Sequence, residues 1–270
     1  MVKILGLFKA NVYTAKRYKI DWWGSLAMPI FSILPAILII WYADANVMLS
    51  KNNSYINSIE VYIKYLILGI VYWGYVEILW STVFMLRTYM KIGQFEDIFI
   101  SPITGVENIL GWSLLGIIRI SIETLPIIII AIVIIGITNF SLSSILIVLG
   151  VFLMSMLASF GLTFLIFGIT LIIKEGDQIA ALIGNAAPFL CGLYFPVTIL
   201  PVFLQGISFI FPFTWGIDII RSCILNTDTI INFKYELVIL FFMTCMYLVL
   251  GNISYKLLEK KSRKYGVQGF

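Results

Sequence analysis

Six long apolar runs are the feature of this sequence that most restricts what it can fold into. Each run extends over about 20 residues or more, the length that an α-helix needs to cross the hydrocarbon core of a bilayer. Hydrophobic residues make up 61% of the chain, and only 12% of its residues are charged. A water-soluble domain of 270 residues could not bury so much apolar surface, because its surface is too large for its volume. The sequence therefore predicts an all-α polytopic membrane protein.

Polar or charged segments separate the apolar runs, and the whole chain reads as one transmembrane domain. The six predicted spans cover residues 24–43, 60–86, 109–137, 142–173, 179 onward and 235–255. Residues 1–22 place apolar side chains such as Ile4 and Phe8 at helical spacing between lysines, which predicts an amphipathic helix on the membrane surface. Residues 256–270 form a basic tail.

Lysine and arginine are unevenly distributed between the two sets of connecting segments. If both termini lie in the cytoplasm, thirteen of these residues fall on the inner side and three, Lys51, Arg221 and Lys234, on the outer side. Cytoplasmic segments of membrane proteins carry an excess of Lys and Arg. The sequence therefore predicts a multi-pass protein of the cytoplasmic membrane with both termini inside.

The inner segment 93–108 contains a short amphipathic pattern. Between Gly93 and Pro102, the apolar residues Phe95, Ile98 and Phe99 recur at three- and four-residue spacing. The opposite face is polar and carries Glu96, Asp97 and Ser101. This pattern predicts a short helix parallel to the membrane, which Pro102 ends. Such a helix has to bury its apolar face against lipid or a partner protein.

Prolines are concentrated in the outer segment 188–221. Four of the eight prolines in the chain lie there, at Pro188, Pro196, Pro201 and Pro212. They break a continuous helix, yet the segment is too apolar to be a solvated loop. Irregular backbone at membrane depth must be buried in protein or face a wet cavity. We therefore expect a re-entrant helix pair before the last span, near the mouth of a pathway.

Two motifs occur in these segments, on opposite predicted sides of the membrane. The inner motif reads G-x-x-E-x-x-x-x-S-P, and its residues are Gly93, Glu96, Ser101 and Pro102, followed by Gly111. The outer motif reads G-x-x-F-P, then L-P, then a proline before a polar pair, and its residues are Gly192, Phe195, Pro196, Leu200, Pro201, Pro212, Asp218 and Arg221. In these motifs, in length and in predicted topology, the chain resembles the type-2 ABC exporter permeases, a family of drug, lipid and polysaccharide exporters.

The resemblance implies a division of labour between subunits. The helix at 93–102 would be a coupling helix seated in a groove of a cytoplasmic ABC ATPase subunit, and residues 188–221 would form an outer gate. The permease would dimerise around a central pathway, with a second copy or with a paralogue. ATP and Mg would belong to the partner, because this chain lacks the G-x-x-x-x-G-K-[ST] phosphate-binding pattern. We therefore expect no enzymatic activity and no bound cofactor here. The substrate, drug-like, lipid or glycan, stays open.

Among the ionisable residues within the predicted spans are Glu77, Arg119 and Glu123. Arg119 and Glu123 are four residues apart on one helix face and can pair, and Glu77 could point at Arg119 from a neighbouring span. Charges at this depth are costly and normally face the protein interior. Two interpretations remain: an internal ion pair that fixes helix packing, or a polar lining of the pathway. The chain has no His, and we expect no metal site and no nucleic-acid partner, only lipid and protein contacts.

A gradient-driven secondary carrier or channel is the alternative function. Such proteins favour intramembrane carboxylates and interrupted helices in matching halves of the chain. Here the prolines are concentrated in one half, and no inverted repeat is evident. A scaffold without transport would have no use for charges inside its spans. An ATPase subunit that co-purifies in stoichiometric amount would favour the exporter, and its absence would favour the other two functions.

The predicted orientation can be checked by cysteine labelling of intact cells. A membrane-impermeant thiol reagent should label a cysteine at Asn52, which lies in the predicted outer segment 44–59. The same reagent should not label a cysteine at Glu107, because that position is predicted to be cytoplasmic. The reverse labelling pattern would overturn the orientation.

Overall fold

The computed structural model describes residues 59–80, 105–135, 141–173 and 176–265, with a few isolated positions between 6 and 88. Three predictions lie outside these ranges: the N-terminal interfacial helix as a whole, the first span, and the coupling helix at 93–102. Residues 105–108, which the sequence placed in the inner segment, instead begin a long helix at Gly105.

Seven α-helices and one 3-10 turn form the regular structure of the described ranges. The helices are α1 (Ile59–Trp80), α2 (Gly105–Ile135), α3 (Leu142–Ile173), α4 (Gly176–Leu190), α5 (Val202–Ser208), α6 (Pro212–Leu225) and α7 (Phe233–Tyr265), and the 3-10 turn is Val197–Ile199. Local sequence explains several helix ends. The Ser141 hydroxyl accepts a hydrogen bond from the Ser143 backbone N–H and so caps α3. Pro212 occupies the first turn of α6, and Asn226 ends that helix in the left-handed conformation at φ 54°.

Four of these helices are long and apolar enough to cross a membrane. Their apolar stretches are Tyr62–Leu79, Leu110–Ile129, Leu142–Ile169 and Phe233–Leu257. They correspond to the second, third, fourth and last predicted spans, and the fourth begins and ends where the sequence predicted. The predicted fifth span corresponds to α4, whose 15 residues rise only about 22 Å and fall short of a bilayer core of about 30 Å. A multi-pass helical membrane protein is therefore confirmed, whereas the count of six spans is not.

The faces of α3 and α7 that point away from the other helices are apolar and exposed, as expected for helices that contact lipid. On α3 the exposed side chains include Leu146, Leu149 and Leu153, and on α7 they include Phe241 and Phe242. The inward faces carry smaller and polar residues. Ser159 on α3 donates a hydrogen bond of 2.7 Å to the Val76 carbonyl of α1, and Thr244 on α7 donates one of 3.3 Å to the Met154 carbonyl of α3.

The contact between α3 and α7 depends on two glycines. A Cβ atom added to Gly161 would lie 2.5 Å from the Tyr247 carbonyl oxygen, and one added to Gly251 would lie 3.1 Å from the Gly161 Cα. The two backbones therefore touch directly. In lipid there is no hydrophobic driving force between helices, so they associate through van der Waals contact. Small residues at the crossing allow that contact because they let the backbones approach closely.

The chain between α4 and α6 is broken three times. The backbone leaves α4 after Leu190, forms a turn through Gly192, passes through the 3-10 turn, and enters α5 after Pro201. Helices α5 and α6 are then bent by 91° across a short break. Residues 188–221 therefore do not form one continuous helix, because Pro196, Pro201 and Pro212 each stand at the start of a new helical piece.

The glycine contact predicts a position-specific loss of stability. Gly161→Ala should lower the melting temperature in detergent, because overpacking against a backbone that cannot retreat costs about 1–3 kcal/mol. Gly150→Ala is the matched control, since Gly150 lies on the same helix with no atom within 4 Å of an added Cβ. Equal melting temperatures for the two variants would show that the helices do not touch at Gly161.

Candidate functional site

The turn that follows α4 needs glycine at one position. Gly192 has φ +79°, a backbone conformation that side chains disfavour, and a Cβ atom there would lie 2.8 Å from the Val197 side chain. The turn is anchored to α4 by the Leu193 N–H, which donates a hydrogen bond of 2.9 Å to the Pro188 carbonyl. Proline at 188 does not interrupt this helix end, and the chain reverses within a few residues. The turn carbonyls at 192–194 are then directed toward α1 and α6.

Arg221 on α6 bonds to this turn through its buried guanidinium group. The side chain is 2% exposed. Its Nη1 donates to the Gly192 carbonyl at 2.7 Å, and its Nη2 donates to the Leu193 carbonyl at 2.9 Å and to the Tyr65 carbonyl at 3.1 Å. The planar fork of arginine suits several acceptors at once. We call this arrangement the Arg221 clamp: Arg221, Tyr65, Gly192 and Leu193.

Helix α1 completes the clamp with two tyrosines and a glycine. The Tyr65 hydroxyl donates to the Gly192 carbonyl at 3.0 Å, and its ring centroid lies 3.2 Å from the guanidinium carbon of Arg221. The Tyr62 hydroxyl donates to the Tyr194 carbonyl at 3.0 Å. Gly69 leaves room for the guanidinium, since a Cβ there would lie 2.6 Å from Arg221 Nη2. Cation–π contact and hydrogen bonds together offset the cost of burying this charge.

Two acidic residues hold the loop between α6 and α7. An Asp218 carboxylate oxygen accepts a hydrogen bond of 2.9 Å from the Ile230 N–H, and a Glu236 carboxylate oxygen accepts one of 3.0 Å from the Ile231 N–H. A cavity of about 30 Å³ lies between Asp218, Arg221 and the 3-10 turn. This space holds a water-sized group and no drug-sized ligand, so the clamp is a structural element of the outer segment.

The structure brings together several residues of the outer motif. Gly192 and Arg221 bond directly, and Pro196 and Asp218 line the small cavity beside them. Phe195 is half-buried next to the turn, whereas Pro201 and Pro212 stand at the starts of α5 and α6. One assignment was wrong: the sequence predicted Arg221 to lie in an outer loop, but its side chain is buried and belongs to α6, so the predicted outer segments carry two cations and not three. The inner-motif residues Gly93, Phe95, Glu96, Phe99, Ser101 and Pro102 lie outside the described ranges.

A second and larger cavity lies between α1, α2 and α4. It has a volume of about 330 Å³, and we call it the acidic cavity because Glu77 and Glu123 contribute to its lining. The remaining lining residues are Ile70, Trp73, Gly74, Ile120, Thr124, Gly184, Asn185, Pro188, Phe189, Leu193 and Tyr194. Arg119 is not among them, but its Nε donates to a Glu123 carboxylate oxygen at 2.7 Å. The Trp73 side chain hydrogen-bonds to the Glu77 carboxyl.

Sequence reasoning missed the partners that build these two sites. Tyr62, Tyr65 and Gly69 recur at helical spacing on one face of α1, and Ile70, Trp73 and Glu77 recur on an adjacent face. That spacing was a signal for two packed faces on one helix. It could not reveal which distant segments would meet them, because Tyr65 and Arg221 are 156 residues apart.

Four helices are long and apolar enough to cross a membrane, and apolar side chains are exposed on their surfaces. Together with the buried Arg221 clamp, these features define a multi-pass helical membrane protein. No protein-family model matches the chain, and no curated protein sequence matches it.

The clamp predicts that arginine at 221 cannot be replaced by lysine. Arg221→Lys keeps the charge but loses the fork, and each buried carbonyl left without a donor costs about 1–3 kcal/mol. The melting temperature in detergent should fall by several degrees. Arg119→Lys is the control, because Arg119 is 39% exposed and a lysine there still pairs with Glu123. Equal losses in the two variants would show that the clamp does not stabilise the fold.

Proposed function

We propose that this chain is the permease subunit of an ATP-driven exporter of the type-2 ABC class. It would move a drug-like, lipid or glycan substrate out across the cytoplasmic membrane through a dimeric pathway. The observation that best supports the proposal is the Arg221 clamp, in which the first and last residues of the outer motif, Gly192 and Arg221, bond to one another. A motif whose two ends meet in space has a physical reason for its spacing.

The clamp also suits an outer gate. Backbone that leaves a helix at membrane depth must find hydrogen-bond partners in protein or water. Here Arg221 and Tyr65 satisfy the Gly192 carbonyl, so the broken segment can enter the outer leaflet and return without exposing that carbonyl to lipid. The 91° bend between α5 and α6 would then form the re-entrant pair that precedes the last span.

Energy would reach this gate from the inner side. The helix at 93–102 would sit in a groove of the cytoplasmic ATPase subunit, and ATP binding would push it. Because α1 and α2 flank this inner segment in the chain, its displacement would move both helices. Helix α1 contributes Tyr62 and Tyr65 to the clamp, so a movement of α1 would be transmitted to the outer segment.

A gradient-driven carrier is the second candidate, and one observation favours it. The acidic cavity places two carboxyl groups, Glu77 and Glu123, on helices that qualify as membrane spans. Carboxyl groups in such positions often bind coupling protons or cations. Purification from the native membrane separates the two functions: an ATPase subunit at one-to-one stoichiometry supports the exporter, and transport that follows an ion gradient without ATP supports the carrier.

The coupling role predicts the behaviour of a double substitution. Phe95→Ala with Phe99→Ala should leave membrane insertion intact, since both residues lie outside the predicted spans. It should reduce co-purified ATPase and export together, because aromatic anchors at interfaces contribute about 2 kcal/mol or more each. Membrane yield, bound ATPase and export would be measured on the same preparations.

Phe241→Ala with Phe242→Ala is the matched control. These two phenylalanines are exposed on the face of α7 that points away from the other helices, so their loss should leave ATPase binding unchanged. If the Phe95/Phe99 variant inserts normally, retains its ATPase at wild-type stoichiometry and still exports, the segment 93–102 is not the coupling element.

A further inference from the structure

The acidic cavity has the dimensions of a ligand-binding site. Its volume of about 330 Å³ lies within the range of small-molecule pockets, roughly 300–1,000 Å³. Its wall combines one face of α1 with residues of α2, α4 and the turn after α4. Ligand pockets in helical membrane proteins form between helices in this way, with mostly apolar walls and few polar groups.

The charge of the lining favours a cation. Among the described residues of the wall, Glu77 and Glu123 carry the carboxyl groups, and none is Lys or Arg. The Glu123 carboxylate already accepts a hydrogen bond of 2.7 Å from the Nε of Arg119, which is not among the described lining residues. Glu77 makes its contact with the neutral Trp73 indole and is exposed to the cavity. One negative charge therefore remains uncompensated within the described part of the wall, and a cation there would balance it at membrane depth.

The aromatic residues of the lining favour an organic cation over a metal ion or a proton alone. Trp73, Phe189 and Tyr194 all contribute to the wall, and the Phe189 and Tyr194 rings lie 5.0 Å apart. Phe189 is 53% exposed, so its ring is accessible. Aromatic faces attract cations through the ring quadrupole, and they also bury an apolar body. The cavity thus offers a carboxylate for the charge and aromatic or aliphatic surface for the remainder of the ligand.

We propose that the acidic cavity binds a monovalent organic cation with an aromatic or bulky apolar body. Glu77 provides the balancing charge, and Phe189 provides an accessible ring face. The binding itself is independent of how transport is powered. Describing this cation as the cargo rests on the proposed export function.

The test uses the purified full-length chain in nanodiscs of phosphatidylcholine, without any ATPase subunit. Equilibrium dialysis would measure the binding of tetraphenylphosphonium, with empty nanodiscs subtracted. Tetraphenylborate is the comparison probe, because it has nearly the same size and shape and the opposite charge. We expect saturable binding of the phosphonium at one site per chain and no saturable binding of the borate.

Substitutions then place the probe in the cavity. Glu77→Gln should weaken phosphonium binding about tenfold or more, as expected for loss of a charged partner. Phe189→Leu should weaken it about two- to fivefold, in the range of a cation–π contact at an exposed site. Asp228→Asn removes one carboxylate outside the acidic cavity and should leave the affinity unchanged. Melting temperatures would confirm that all variants are folded.

Several outcomes would overturn the proposal: wild-type affinity in both cavity variants, equal binding of the borate, or an equal loss in Asp228→Asn. The result is separable from the export function. If the cavity binds the phosphonium but no ATPase co-purifies, the binding site stands and the exporter proposal fails. If an ATPase co-purifies but the cavity binds no cation, the exporter stands and this inference fails.

Discussion

The hydrogen bonds of the Arg221 guanidinium are the interaction on which the folding of residues 188–221 against α1 depends. A charge that is 98% removed from contact with solvent is costly unless it is fully bonded. Arg221 largely meets that condition: both terminal nitrogens of its guanidinium donate to carbonyls of α1 and of the turn after α4, while its buried Nε has no hydrogen-bond partner. The Leu193 carbonyl lies beyond the end of α4, so it depends on a donor from outside that helix. The buried guanidinium therefore needs the carbonyls of the turn as acceptors, and those carbonyls need its N–H groups as donors. Replacing either one leaves the other exposed to an apolar surrounding.

Helix α1 connects the two sites described above. One face carries Tyr62, Tyr65 and Gly69 into the Arg221 clamp, and the adjacent face carries Trp73 and Glu77 into the acidic cavity. The turn after α4 also belongs to both, since Leu193 bonds to Arg221 and lines the cavity. A rotation of α1 would change the two sites together. In the proposed exporter, this shared helix would link ligand binding to the outer segment.

Some of the fold and of the sites was readable in the sequence. The limits of α3 follow from an apolar run bounded by Ser141 and by the charged residues after Ile173, and the ion pair of Arg119 with Glu123 follows from i, i+4 spacing. The breaks after α4 follow from proline. The short length of α4 and the burial of Arg221 did not follow, because hydropathy reports how apolar a segment is and not what it packs against.

The sequence by itself determined that the protein is a multi-pass helical membrane protein, roughly where four of its spans lie, and that the chain breaks between α4 and α6. These properties depend on local composition, on proline and on the length of each run. Only the tertiary structure decided that Gly192, Tyr65 and Arg221 meet, that Gly161 touches the backbone of α7, and that Glu77 and Glu123 share a cavity. Those contacts join residues far apart in the chain, and shape complementarity between whole helices selects them.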